Sequence, residues 1–185
     1  LTTGTASGKS LVFQIASLEI LAKNPKAKIM AIYPLKALGR EQEEKWGQII
    51  RKAGLPFTIG RIDGGIHVSE RISIIRKNNV VIFTPDVIHA WLMFSLSESA
   101  IREFLSKIAL IVVDEIHNYS GVFGSNSAFL FRRLRHIMRL LGANPQFITT
   151  SATIKDPEIH LQKLFGVNFT VIGEKFDTSP RRNLR

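Results

Sequence analysis

The chain has 185 residues, of which 45% are hydrophobic and 22% charged, and its 25 basic and 15 acidic residues give a net charge of +10. This length predicts one domain with its own hydrophobic core, and the sequence has no apolar run near the ~20 residues that a membrane-spanning helix needs. Zero cysteines exclude disulfides and thiolate metal sites and fit a reducing cytoplasm, while the excess positive charge favours nucleic acid as a partner or else a generally basic surface.

Segments rich in apolar and β-branched residues alternate with helical patterns along the chain. Strands are predicted at residues 28–33, 57–61, 80–84, 108–113 and 147–150. Helices are predicted at residues 9–22, 36–53, 68–78, 87–94, 97–106, 125–141 and 156–165. The strands lack polar alternation, which is typical of parallel strands covered on both faces. This order predicts an α/β fold with an open, mostly parallel sheet and helices on both faces, whose ligands bind at the carboxyl ends of the strands.

A candidate phosphate-binding loop, Thr-Gly-Thr-Ala-Ser-Gly-Lys-Ser, occupies residues 3–10 before the first predicted helix. Backbone N–H groups in such a loop point at phosphate oxygens, and the lysine and the final hydroxyl reach the outer phosphates and Mg²⁺. The usual first glycine is replaced by Thr3, so a simple turn of small residues is the alternative. The candidate nucleotide-binding residues are Thr5, Ala6, Ser7, Gly8, Lys9 and Ser10.

Two adjacent carboxylates, Asp114 and Glu115, follow the most apolar predicted strand. Burying them without a cation or hydrogen bonds would be costly. Asp114 is therefore predicted to hold Mg²⁺ together with Ser10, and Glu115 to orient and deprotonate an attacking water. Two helix-capping acids are the alternative interpretation.

A third polar block, Ser151-Ala152-Thr153, follows the last predicted strand. His117, two residues after Glu115, is a candidate link between the hydrolytic site and this block. The alternative is a single surface imidazole without a special role.

Taken in order, these three blocks resemble motifs I, II and III of superfamily-2 DExH-box helicases. Three further segments match in the right order: Pro34-Leu35-Lys36-Ala37-Leu38 resembles motif Ia, Asp63-Gly64-Gly65 a strand-binding turn, and Thr84-Pro85-Asp86 motif Ib. The resemblance covers residues 2 to about 165. It implies the first RecA-like motor domain of an enzyme that uses ATP and Mg²⁺, with Lys9, Glu115 and His117 in catalysis and residues 151–153 in coupling.

The exact residues of three segments resemble those of the MrfA-type DNA-repair helicases. These segments are the phosphate loop, residues 114–125 and Ser179-Pro180-Arg181. This likeness implies ATP-driven 3′-to-5′ movement on DNA. Residues 1–172 are expected to form the motor domain with its N-terminal part truncated, and residues 173–185 a linker towards a second RecA-like domain. The expected partners are single-stranded or partly duplex DNA and that second domain. No interaction with a membrane is expected.

The resemblance also implies contacts with the sugar–phosphate backbone, which carry little sequence information. The candidate nucleic-acid-binding residues are Pro34, Leu35, Lys36, Arg40, Gly64, Gly65, Thr84, Pro85 and Asp86. The prolines also fit ordinary strand-to-helix turns. The arginines of the 125–141 helix are predicted to form its solvated face, opposite an apolar stripe.

Three alternative functions compete with this one. An RNA helicase shares the three blocks, and nothing in the sequence reads a 2′-hydroxyl. A nucleotide-binding scaffold without turnover would not need Lys9, Asp114 and Glu115 together. A P-loop kinase or GTPase has no place for Ser151-Ala152-Thr153.

Overall fold

The computed structural model describes residues 9–152 and 154–172 of the chain. Its strands are β1 (Lys28–Ile32), β2 (Ile59–Ile62), β3 (Val80–Phe83), β4 (Ile108–Val113) and β5 (Gln146–Thr149). Its helices are α1 (Lys9–Lys23), α2 (Lys36–Lys52), α3 (Val68–Lys77), α4 (Pro85–Val87), α5 (Ser99–Ser106), α6 (Gly121–Leu140) and α7 (Pro157–Phe165). A π-helical turn, Ile88–Leu92, continues α4, and a 3₁₀ turn, Ile116–Asn118, follows β4.

The five strands form one sheet in the order β2-β3-β1-β4-β5, and every neighbouring pair is parallel. In register, Ile32 lies opposite both Phe83 and Val113. All strands therefore end at the same edge, which carries the turns after each of them. The predicted open parallel sheet is confirmed.

Both faces of the sheet are buried, as the apolar strand sequences predict. Successive residues of β1 alternate between two cores, with Ile32 in one and Ile29 in the other. The first core lies under α5, α6 and α7, and includes Phe131 and Phe165. The second lies under α1 and α2, where Phe13 packs on Trp46. Period-two alternation with helices on each face positions the strand ends rigidly.

Most predicted boundaries differ from the structure by one or two residues, but the predicted 125–141 helix begins four residues earlier, at Gly121. Gly121 has a φ of +57°, and the backbone approaches so closely at Gly124 that an added Cβ would lie 2.4 Å from the Tyr119 carbonyl oxygen. Two glycines thus start the helix earlier than its apolar stripe indicates. The predicted 87–94 helix also begins earlier, at Pro85, and passes into the π-helical turn.

One of the α6 arginines departs from the expected solvated face: Arg135 is half-buried, whereas Arg132, Arg133 and Arg139 are exposed. Arg132 Nη2 donates to the carbonyl of Lys163 at 2.6 Å, and Arg135 Nη1 donates to that of Phe165 at 3.0 Å. These carbonyls lie at the C-terminus of α7, where a positive charge is favourable. The two arginines therefore hold α7 against α6.

In the described ranges, no helix has the length and apolarity to cross a membrane.

Candidate functional site

Asp114 directly follows β4, and only 7% of its surface is exposed. Its Oδ1 accepts hydrogen bonds from the Glu115 backbone N–H at 2.8 Å and from the Thr150 hydroxyl. Two donors on one oxygen hold the carboxylate in a fixed orientation. Because both bonds use Oδ1, they leave Oδ2 for another ligand.

Glu115 has left-handed backbone angles, φ 54° and ψ 47°. For a residue other than glycine, this conformation costs on the order of 1–3 kcal/mol and persists only where its surroundings hold it. The turn leaves the Glu115 side chain about one-third exposed, at the sheet edge next to buried Asp114. An acidic group beside the open strand ends is placed to act on a solvent molecule.

His117 contacts its own turn. Its Nδ1 lies 3.1 Å from Glu115 Oε2, and its Nε2 lies 3.3 Å from Asn118 Nδ2. The sequence linked His117 with Ser151 and Thr153. In the structure the ring's hydrogen bonds go to Glu115 and Asn118 instead, and Thr153 lies outside the described residues. The contact with Glu115 makes His117 a neighbour of the acidic pair.

Thr150 joins the ends of β4 and β5, and the sequence did not single it out. Its N–H donates to the Val113 carbonyl at 3.2 Å, and its carbonyl accepts from Ile116 N–H at 3.0 Å. Its hydroxyl reaches Asp114. The available signal was its place at the end of a predicted strand, directly before Ser151.

Lys9 is the first residue of α1, and its Nζ donates to the Ser151 carbonyl at 2.8 Å. The Ser151 hydroxyl is buried without a hydrogen-bond partner within the described part of the chain. Ser10 follows on α1, and half-buried Ala152 follows Ser151. The structure thus brings Lys9 to Ser151, one residue from the threonine that binds Asp114. Outside the described residues lie Thr5, Ala6, Ser7 and Gly8.

The turns after β1 and β2 meet beside α2. A Cβ at Gly64 would lie 2.9 Å from Lys36 Nζ, and one at Gly65 would lie 4.0 Å from Arg40 Nη2. Lys36 and Arg40 are exposed, one helical turn apart at the start of α2. Two positive charges and two side-chain-free positions therefore share one surface, which suits a phosphate backbone.

Asp63 holds the glycine turn after β2 in place. It is fully buried, pairs with Arg61, and accepts a hydrogen bond from Gly65 N–H at 2.7 Å. Arg61 also contacts Glu43 of α2 at 3.0 Å. This network connects the glycine turn after β2 to α2.

The turn after β3 presents different groups. Thr84 is 4% exposed, and its hydroxyl has no hydrogen-bond partner among the described residues. Pro85 is buried at the first position of α4, and Asp86 is exposed. Leu35, after β1, is 62% exposed, with Pro34 half-buried before it. Asp86 and Leu35 therefore face solvent at the edge, whereas Thr84 does not.

Tyr119 is a buried neutral phenol near the acidic groups. Burial raises its pKa above the ordinary value, and the negative charges of Asp114 and Asp86 raise it further. Burial likewise raises the pKa of Tyr33, with a smaller contribution from Asp114 and an opposing one from its hydrogen bond with Trp46. Both phenols therefore remain protonated.

The described ranges contain no group of three or more His, Asp or Glu side chains able to hold a metal. A cation at Asp114 would therefore take its other ligands from the Ser10 hydroxyl, water or a bound phosphate. Hard oxygen ligands of this kind suit Mg²⁺, which keeps several waters and shares phosphates in nucleotide sites. The donor set fits a magnesium nucleotide.

Comparison with known proteins gives consistent matches along the chain. The family model of DEAD/DEAH box helicases matches residues 1–161. The ATP-dependent helicase HRQ1 of Saccharomyces cerevisiae is 40% identical over 97% of this chain, and an uncharacterized ATP-dependent helicase of Methanocaldococcus jannaschii, MJ1574, is 33% identical over 99%. The crystal structure of the DUF1998 helicase MrfA bound to DNA and AMPPNP superposes with a TM-score of 0.89, at 32% identity over 94% of the chain. The chain spans 17%, 27% and 24% of these three proteins, respectively.

Proposed function

The chain belongs to the DEAD/DEAH box helicase family, and on that premise we propose that it binds and hydrolyses ATP to drive 3′-to-5′ movement along DNA. It would be the first of two motor domains. The observation that carries this proposal is the common sheet edge, where Lys9, Asp114 and Glu115 lie at the ends of β4 and β5, and the exposed Lys36 and Arg40 reach the glycine turn after β2. One rigid edge can thus carry both a nucleotide and a nucleic-acid strand.

The nucleotide end assigns a role to each polar group. Lys9 would exchange the Ser151 carbonyl for a phosphate oxygen, and the Ser10 hydroxyl and Asp114 Oδ2 would hold Mg²⁺. The chemistry that such a cation would supply is neutralisation of phosphate charge. Glu115 orients the attacking water and takes its proton, and His117, in contact with Glu115, steadies that carboxylate. Ser151, Ala152 and Thr153 would transmit the change at Lys9 to the rest of the edge.

The surface formed by Lys36, Arg40, Gly64 and Gly65 suits a nucleic-acid backbone and should have low sequence selectivity. We call this surface the DNA track. Lys36 and Arg40 supply charge, and Gly64 and Gly65 let a strand approach the backbone. The solved relative with a TM-score of 0.89 was crystallised with DNA, which favours DNA over RNA. A role in DNA repair is proposed on the likeness to the same protein.

The decisive experiment uses the full-length protein. We expect ATP hydrolysis to be stimulated more by single-stranded DNA than by RNA of the same sequence, and strand displacement to need a 3′ single-stranded tail. Stronger stimulation by RNA would favour an RNA helicase. Tight ATP binding without turnover on either nucleic acid would indicate a nucleotide-binding scaffold.

A further inference from the structure

A cleft of about 350 Å³ opens beside the Thr84–Asp86 turn, and apart from Pro85 and Asp86 none of the residues that line it has been assigned a functional role above. One wall comes from α4 and the π-helical turn after it, with Asp86 and His89. The other comes from α6, with Phe123, Asn126, Phe129 and Arg133. This volume lies within the range of about 300–1,000 Å³ typical of ligand sites.

Aromatic rings at the cleft are exposed to an unusual degree. Phe129 is 70% exposed and Phe123 is 37% exposed. The Phe123 ring lies 5.2 Å from the ring of buried Tyr119, which holds it in place. His89 adds a third ring, set edge-on to Phe94, itself 74% exposed, at 6.1 Å. Clustered exposed aromatic surface marks a binding site more often than scattered apolar residues do.

Polar groups alternate with these rings. Asn126 offers both a donor and an acceptor, Asp86 accepts from amino groups, and Arg133 pairs with phosphate or stacks on a ring. Phe123, Asn126 and Arg133 are spaced by three and seven residues and so project from one side of α6. An apolar protein segment in the cleft would leave Asp86, Asn126 and Arg133 unpaired, at a desolvation cost.

We propose that this cleft between α4 and α6 takes an unstacked nucleobase of the bound strand. The proposal rests on the proposed function, since it requires DNA along the same sheet edge. The turn after β3 lies between those after β2 and β1 in the sheet. Asp86 therefore joins the cleft to the surface formed by Gly64 and Lys36. The proposal places a base on Phe129 or Phe123 and directs its phosphates towards that surface.

The test compares two single-stranded DNAs with the full-length protein at one salt concentration: oligothymidine, and the same strand with abasic sites replacing its bases. Phe129→Ala should weaken oligothymidine binding by at least about fivefold, because base–aromatic stacking contributes about 1–3 kcal/mol per base. Binding of the abasic strand should not change. Asn126→Ala, at an exposed polar position, should show the same pattern. Leu140→Ala, at a 74% exposed position on the same helix outside the cleft, should change neither.

Three other outcomes overturn the proposal. An equal loss for both strands would mean that the cleft contacts backbone alone. A lower Tm of Phe129→Ala without DNA, and no base-dependent loss, would mean that another part of the protein covers the cleft. No effect of Phe129→Ala, with weaker binding by the double variant Lys36→Ala, Arg40→Ala, would remove the cleft but keep the DNA track. If the unaltered protein binds neither strand, the proposed function fails with it.

Discussion

At the scale of single residues, Asp114 is held in a way that divides its two oxygens. The Glu115 N–H and the Thr150 hydroxyl both bind Oδ1. Those bonds fix the carboxylate plane, so that the direction of Oδ2 is set before any ligand arrives. Preorganisation of this kind lowers the reorganisation needed on binding.

Glu115 and Lys9 should fail in different ways in the full-length protein. Glu115→Gln should keep ATP bound but raise the activation free energy of hydrolysis by at least ~3 kcal/mol, which is roughly a hundredfold loss in rate. The reason is that only the attacking water loses its base. Lys9→Ala should weaken ATP binding and turnover together, since Lys9 contacts ground-state phosphates. Equilibrium binding and single-turnover hydrolysis separate the two. Glu158→Gln, at an exposed position of α7, is the control, and near-normal hydrolysis by Glu115→Gln would contradict the assignment.

Thr150 provides a second test at this scale. Thr150→Val keeps the side-chain shape but removes the hydroxyl that binds Asp114. The free energy of unfolding should therefore fall by about 1.5–3 kcal/mol. Hydrolysis should also fall, because the carboxylate loses its fixed orientation. Denaturant titration and ATPase assays measure the two effects. Thr170→Val, at an exposed position, should change neither, and full activity in Thr150→Val would show that the bond has no part in turnover.

At the scale of elements, the close contact at Gly124 sets where α6 begins. Gly124→Ala should lower the free energy of unfolding by about 1–3 kcal/mol, because the new Cβ would meet the Tyr119 backbone. Gly47→Ala is the matched control in α2, where the new Cβ meets only the flexible Arg51 side chain. That change should stabilise the helix by up to about 1 kcal/mol. Equal stability changes would mean that α6 can shift away from Tyr119.

The first turns of α2 carry the proposed DNA contacts. The double variant Lys36→Ala, Arg40→Ala should weaken DNA binding about equally across sequences. For single-stranded DNA, each lost phosphate contact should flatten the plot of log K against log salt by roughly 0.7. Arg51→Ala, Lys52→Ala removes the same charge from the other end of α2 and should leave the slope alone. If the variant Lys36→Ala, Arg40→Ala is folded and its salt slope is unchanged, these two residues do not contact DNA phosphates.

At the scale of the whole molecule, one sheet edge carries every proposed site, but the chain spans only a fraction of its relatives. We expect residues 1–185 alone to hydrolyse ATP barely at all. The arginine that stabilises the transition state is expected from a second domain, and losing such an arginine typically costs about 10³- to 10⁵-fold in rate. Comparing the DNA-stimulated ATPase of this segment and of the full-length protein checks this, and equal rates would rule out the two-domain mechanism.

The sequence by itself determined the parallel sheet and the edge on which the site lies. Uninterrupted apolar strands such as Ile108–Val113 require cover on both faces, and right-handed crossovers then bring all strand ends to one edge. Placing Asp114 and Ser151 on the same edge needs no more than this. The start of α6 at Gly121 was missed because the apolar stripe, not the glycine turn before it, set the prediction.

Only the tertiary structure decided which groups meet across that edge. Lys9 and Ser151 are 142 positions apart and Thr150 and Asp114 are 36 apart, so their contacts exist only once the register of β4 and β5 is fixed. The contacts of Arg132 and Arg135 with α7 could not be predicted, because helical periodicity gives a face and not its neighbour, which is the C-terminus of α7. The cleft beside Asp86 has the same origin, since its two walls are distant in sequence and come together only by packing.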